Sequence, residues 1–192
     1  MTRMVWYTAY GSNMAWQRFR YYLAGGYLPA AGRRHDGARD RSDPADTSAV
    51  WMPGRVYFAT ESAFWGGGRA LYDPEAPGIA AGRAWLVTAG QFCDVMAQEM
   101  RRPPGTDLDL PVVPGRGNWL RAGDGHYETV VCVGYLRGYP VLTFCAPWPM
   151  TDVALLAPSP AYLAMIAAGL AETFGWDQRR ALAYLSRLPG GH

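Results

Sequence analysis

The stretch Met4-Val5-Trp6-Tyr7-Thr8-Ala9 runs straight into Tyr10-Gly11-Ser12-Asn13. Its first residues are apolar and β-prone and predict a strand over 4–10. A helical pattern follows over 13–24 and stops at Gly25-Gly26. The chain must therefore pass from strand to helix within Gly-Ser-Asn. Gly11 suits a turn that needs φ > 0, and Ser12 or Asn13 suits the cap of the helix. The N–H groups left open at such a helix start form a seat for a carboxylate or an oxyanion. The same residues also fit a plain strand-turn-helix corner.

Residues 27–54 are rich in Arg, Asp, Gly and Pro and read as mostly irregular, with a short strand near Arg33 to Ala38. Strands are predicted at 55–60 and 68–72, flanking the loop from Glu61 to Gly67, and again at 82–88. Residues 89–100 predict a helix with Phe92, Val95, Met96 and Met100 on one face. Residues 101–125 carry Pro103-Pro104-Gly105, Pro111, Pro114-Gly115, Gly117 and Gly123, and read as a long surface loop or lid. Strands at 127–138 and 140–146 meet at Gly138. A helix over 158–174 is entered through Pro158-Ser159-Pro160 and ended by Gly175-Trp176. A last helix covers 177–187 with Asp177 as N-cap. Strands and helices do not alternate strictly, so a doubly wound sheet is not expected. The expected fold is α+β: a small, curved, mixed or mostly antiparallel, barrel-like sheet with peripheral helices. It forms a single domain, 1–192, with a lid or insert at 101–124.

Composition narrows the function. The chain is 49% hydrophobic and 18% charged, as a folded soluble protein is. Every basic side chain apart from three histidines is Arg, and Ala, Gly and Pro are abundant, which implies a GC-rich bacterial source. A net charge of +2 argues against a nucleic-acid partner. The densest basic stretch, Arg33 to Arg41, is broken by Asp36, Asp40 and Asp43 and reads as a solvated loop. Cys93, Cys132 and Cys145 lie in apolar stretches and read as buried free thiols of a reducing cytoplasm. His35, His126 and His192 form no metal-binding pattern. No signal-peptide core or bilayer-spanning run is present, so no membrane partner is expected.

Glutamate is scarce: Glu61, Glu75, Glu99, Glu128 and Glu172 are the five. Glu75 and Glu172 read as exposed, Glu61 opens a loop, and Glu128 sits in a strand pattern facing water. Glu99 ends a helix whose other face is apolar. The macrodipole opposes a negative charge there, and such local violations concentrate at functional sites. A general base fits that position, as does an exposed carboxylate paired with Arg101 or Arg102. Trp65-Gly66-Gly67-Gly68 is a tight glycine turn that either admits a ligand close to the backbone or is only a β-turn.

Together these segments resemble the γ-glutamylcyclotransferase family. The resemblance runs from Tyr10-Gly11-Ser12-Asn13 through Trp65-Gly66-Gly67-Gly68, Asp94-Val95-Met96-Ala97-Gln98-Glu99 and Gly125-His126-Tyr127. It continues into Pro158-Ser159-Pro160-Ala161-Tyr162 and the two C-terminal helices. Two departures stand out: the long 101–124 insert, and Met14 where the family often has Leu. The resemblance implies an enzyme that cleaves a γ-glutamyl amide by intramolecular aminolysis, giving 5-oxoproline and a free amine or amino acid. Glu99 takes the place of the catalytic acid–base residue. Tyr10, Gly11, Ser12 and Asn13 form the anion-binding loop, with Trp65, Gly66, Tyr127 and Tyr162 as further substrate contacts. The implied partner is a small γ-glutamyl molecule, in secondary metabolism for one variant, and no metal or organic cofactor is required. A non-catalytic ligand-binding or regulatory module on the same fold is the alternative.

Overall fold

The computed structural model describes residues 3–28 and 33–192; the irregular reading of residues 29–32 lies outside them. The described chain begins with β1 (Met4–Ala9), a 3-10 turn (Ser12–Met14), α1 (Trp16–Ala24), β2 (Gly26–Leu28) and β3 (Arg33–His35). Next come β4 (Asp46–Pro53), β5 (Arg55–Glu61), β6 (Gly68–Asp73), β7 (Ile79–Thr88) and α2 (Ala89–Glu99). Then follow β8 (Leu120–Arg121), β9 (Thr129–Leu136), β10 (Tyr139–Cys145), α3 (Pro160–Phe174) and α4 (Gln178–Leu185). The class is α+β, as expected. Six strands form one mixed sheet in the order β4-β7-β1-β10-β9-β8, and β2-β3 and β5-β6 form two-stranded sheets. Among the described residues no barrel closes: β4 and β8 are the two ends of the large sheet. Strand β1 runs parallel to β10, with Trp6 opposite Val141 and Tyr7 opposite Leu142. Strand β9 runs antiparallel to β10, and β8 antiparallel to β9.

The chain divides into two compact units, each built from three stretches of sequence. The first comprises Met1–Thr8, Gln17–Ser48 and Ala84–Pro147. At its centre the Tyr7 ring stacks on Phe144 at 5.0 Å and meets Phe19 and Phe92 at 5.4 and 5.8 Å. Phe19 in turn stacks on Trp85 at 5.0 Å. The start of α2 is fixed by a reciprocal cap: Gln91 N donates to Thr88 Oγ1 at 3.0 Å, and Thr88 N donates to Gln91 Oε1 at 2.9 Å. This orients the helix so that Phe92, Val95 and Met96 are buried.

The second unit comprises Ala9–Trp16, Ala49–Arg83 and Trp148–His192. Its helices begin as the sequence predicts. Ser159 caps α3 by accepting from Tyr162 N at 3.2 Å, with Pro160 in the first turn, and Asp177 caps α4 by accepting from Arg180 N at 2.7 Å. Gly175, at φ 66°, ends α3. The hairpin β5-β6 is tied to the end of the chain through Phe58 N, which donates to Pro189 O at 2.8 Å.

Several expectations about element bounds fail here, and two have a clear cause. Residues 46–53, read as irregular, form β4. Of its residues only Met52 is buried, so the alternation that marks a strand is nearly absent. Strand β7 begins at Ile79 rather than 82 because Ala80 and Ala81, too small to register as a strand pattern, are buried in it.

A glycine sets the approach of α3 to the 3-10 turn. A Cβ on Gly169 would lie 2.5 Å from Met14 Cβ and 2.8 Å from Ala15 N. Ala is the better helix former by about 1 kcal/mol, yet the overlap outweighs that gain. Gly169→Ala is expected to lower stability by about 1–3 kcal/mol in urea denaturation; an unchanged or raised midpoint would show that the contact relaxes freely.

Candidate functional site

In the second unit Tyr162 is the point on which the motifs converge. It lies in the first turn of α3 and is 4% exposed. Its ring stacks on Trp65 at 5.1 Å with 24° between planes. Its hydroxyl oxygen accepts from Ala70 N at 3.3 Å and would lie 3.0 Å from a Cβ on Gly11. The turn that presents Trp65 needs its glycines. Gly66 and Gly67 have φ of 70° and 65°, and a Cβ on Gly67 or Gly68 would collide with the carbonyls of Ala157 or Leu156. Gly66 alone faces open space. Tyr10 is buried with its ring 5.5 Å from Tyr72. Thus Tyr10, Gly11, Ser12, Asn13, Trp65, Gly66 and Tyr162 all belong to this unit.

The loop differs from expectation in mechanism. Gly11 has φ −118°, not a positive value. What favours glycine is proximity: a Cβ here would lie 3.0 Å from Tyr162 Oη, with Ala70 Cβ at 3.5 Å. Ser12 and Asn13 stand ahead of α1 rather than at its first residue. They enter a 3-10 turn in which Met14 N donates to Gly11 O and Ala15 N to Ser12 O, both at 3.1 Å, and α1 starts only at Trp16. Among the described residues the backbone N–H groups of Gly11 and Ser12 have no hydrogen-bond partner. Two neighbouring donors held open on a fixed turn are what an anion seat requires.

Glu99 and Tyr127 belong to the first unit. Glu99 is the last residue of α2 and is half-buried. Its carboxylate accepts a hydrogen bond from the Tyr22 hydroxyl. That hydroxyl accepts in turn from Arg18 Nη2 at 2.9 Å, and Arg18 Nη1 lies 2.8 Å from His35 Nε2. A guanidinium only donates, so Nε2 is the accepting nitrogen of His35. Arg18, Tyr22 and His35 are 5%, 1% and 2% exposed. Burial first, and the Glu99 charge second, push the Tyr22 hydroxyl well above its usual value of 10.0, against the opposing pull of Arg18. Tyr22 therefore stays a donor to Glu99 at any neutral pH. Gln98 braces the same helix end: Oε1 accepts from Gly37 N at 3.1 Å, and Nε2 donates to Tyr22 O at 2.9 Å.

Sequence reasoning missed Arg18, Tyr22 and His35. Their only signal is the four-residue spacing of Arg18 and Tyr22 on one helix, with His35 in a stretch read as a solvated loop. In fact His35, Gly37 and Ala38 within that stretch are buried. Glu128, expected to face water, is 2% exposed. Its Oε2 accepts from Gly125 N at 2.8 Å, and its Oε1 meets Arg102 Nη2 at 2.6 Å as an ion pair without hydrogen-bond alignment. Gly123, where a Cβ would lie 1.9 Å from that carboxylate, lets the loop close over it. Tyr127, next in sequence, is half-buried with its ring 6.5 Å from Phe144. The 101–124 segment is fastened to its own unit: Gly105 N donates to Asp94 Oδ1 at 3.0 Å and Arg3 Nη2 to Leu110 O at 3.0 Å. The cysteines are free and buried, and burial pushes the thiols of Cys93 and Cys132 up. Among the described residues no group of three or more His, Cys, Asp or Glu side chains is placed to hold a metal ion, and no helix is long and apolar enough to cross a membrane.

Two outcomes follow. Gly11→Ala is expected to destabilise by about 1 kcal/mol or more, and by less in a Tyr162→Phe background that lacks the opposing oxygen; equal costs in both backgrounds would mean the close approach does not set the loop. Folding favours the protonated Tyr22 phenol, so its contribution is whole below pH 10.0 and drains as the pH climbs past it. Tyr184, also pushed up by burial, drains in the same window. Urea midpoints followed from about pH 8 to about pH 11 are expected to fall, and to fall less in Tyr22→Phe relative to its own value at the lower pH; an identical fall would rule Tyr22 out.

No protein-family model matches the sequence. Over 202 aligned residues, covering 95% of the chain, it is 32% identical to part of histone deacetylase 5 of Arabidopsis thaliana, and it spans 30% of that protein's length. Among solved structures it is similar to a gamma-glutamyl cyclotransferase, with TM-score 0.56, 18% identity and coverage of 99% of this chain and 91% of the other. It is also similar to an uncharacterized protein from Homo sapiens, with TM-score 0.54, 18% identity and the same coverage. The likeness spans both units and both C-terminal helices, and the chain has a γ-glutamylcyclotransferase-like fold.

Proposed function

We propose that this chain is a γ-glutamylcyclotransferase-like enzyme that converts a γ-glutamyl amide or peptide to 5-oxoproline and a free amine or amino acid. The observation that carries the reading is the Glu99 carboxylate, half-buried at the end of α2 and held by the buried Tyr22 hydroxyl. The reaction needs a base because the α-amine of the substrate is protonated at neutral pH. In this reading Glu99 takes that proton. The freed amine attacks its own γ-carbonyl, the new C–N bond closes the five-membered lactam, and the bond to the leaving nitrogen breaks. Glu99 returns its proton to that nitrogen as it leaves, and then takes the second proton that the ring nitrogen sheds to become the lactam N–H; this proton departs with the amine product. Within the second unit, the open N–H groups of Gly11 and Ser12 are suited to an oxyanion or a carboxylate, and Trp65 and Tyr162 stack into an aromatic face. Tyr22, fixed by Arg18, holds the base in one pose, which a near-attack geometry demands.

A second reading has one observation in its favour. The chain is similar to less than a third of a longer plant protein named as a histone deacetylase. A domain carried inside a larger enzyme fits a small-ligand-binding or regulatory module on this fold. Fold alone does not decide between them.

Turnover separates the two. A panel of γ-glutamyl dipeptides and γ-glutamyl amines, read as 5-oxoproline release, is expected to contain a substrate. On it, Glu99→Gln is expected to lose about a hundredfold or more in kcat with KM little changed. Near-native kcat in Glu99→Gln would overturn the assigned base. Saturable binding of γ-glutamyl ligands with no release from any of them would favour the module.

A further inference from the structure

Helix α2 ends in a way that chain energetics alone do not favour. Arg102 N donates to Ala97 O at 2.8 Å and Arg101 N to Gln98 O at 3.1 Å, the paired bonds that close a helix through a left-handed residue. That residue is Arg101, at φ 57°. Glycine is the usual occupant, since a side chain in this conformation is strained. Helix α3 uses Gly175 at its own end. Arg101 is exposed, so its side chain gains no core packing to offset the strain. Strain retained without a packing reason is a mark of a functional position.

The side chain has a place to act. Arg101, Arg102 and Arg34 line one cavity of about 200 Å³ with His35, Gln98 and Asp36. Arg102 is paired with Glu128 at 2.6 Å. Among the described residues the side chains of Arg34 and Arg101 have neither an ion-pair nor a hydrogen-bond partner. The wall thus holds more cations than the acids Asp36 and Glu128 neutralise. Its polar floor is built in advance. His35 and Gln98 are 2% and 3% exposed, and each is fixed by the hydrogen bonds to Arg18, Gly37 and Tyr22 described above. The volume suits one small charged group rather than a polymer.

We propose that this cavity binds a small oxyanion, a carboxylate or phosphate group, between Arg34, Arg101 and Arg102. Guanidinium groups are planar forks matched to both chemistries. The site stands whether or not Glu99 acts as a base, because binding is read without turnover.

The test is a titration of the full chain with inorganic phosphate and, separately, with succinate, followed by the NMR signals of the arginine Nε–H groups and by calorimetry. Saturable shifts of Arg34 and Arg101 are expected, weakening as sodium chloride is raised. Saturation by phosphate alone, or by succinate alone, names the chemistry; saturation by both leaves the site general for oxyanions. Arg101→Gly keeps the left-handed helix end and relieves its strain. It is expected to match or exceed the native thermal midpoint while binding weakens about tenfold or more. Arg34→Gln is expected to weaken binding in the same direction. No saturable shift with either anion would overturn the proposal, as would binding that survives both substitutions unchanged.

Discussion

A buried guanidinium must be given acceptors, and Arg18 is 5% exposed. Leaving such a charge without partners costs about 3–5 kcal/mol. The surrounding groups are set by that demand. Tyr22 turns its lone pair toward Arg18, which leaves its hydrogen for Glu99, and His35 presents Nε2. One charge thereby fixes a hydroxyl, an imidazole and a carboxylate that come from three separate elements. The pose of Glu99 is a downstream consequence of how Arg18 is satisfied, and Gln98 adds a second brace on the same turn.

What was legible in the sequence was local. Ser159, Pro160 and Asp177 announce helix starts because the capping group lies within three residues of the N–H it serves. Glu99 stood out because a carboxylate at a helix C-terminus opposes the local field. What was hidden depends on partners far away in sequence. Glu128 read as a water-facing strand residue, and only the folding of Gly123 and Gly125 around it makes it buried. His35 lies in an Arg- and Asp-rich stretch, where nothing local signals that it meets Arg18. Strand β4 was invisible for the opposite reason: at the end of the sheet it buries almost nothing.

Gly11 gives a sharper lesson. The residue was singled out for a positive φ that it does not have. Its φ is negative, and the absence of a side chain serves a neighbour, Tyr162. Glycines 68 and 169 belong to the same class, each letting one segment pass within reach of another, whereas Gly67 answers to both its left-handed backbone and a close approach. Sequence identifies such positions as glycine without revealing whether conformation or proximity demands it.

The interleaving of the two units bears on how the chain is made. All three stretches of the first unit have left the ribosome once Pro147 is out, whereas the second unit still lacks Trp148–His192. At about 5–20 residues per second, synthesis of those residues takes several seconds at the slow end of that range. During that interval the amide of Phe58 has no Pro189 carbonyl to meet, the ring of Trp65 has no Tyr162, and Gly68 N has no Ala157 carbonyl. The hairpin β5-β6 is then a two-stranded ribbon with open edges and unsheltered aromatic faces, a form that pairs readily with other chains. The nascent second unit is thus the part of this protein with most to gain from a chaperone, and a stall in translation near the codon for Trp148 would strand it in that state.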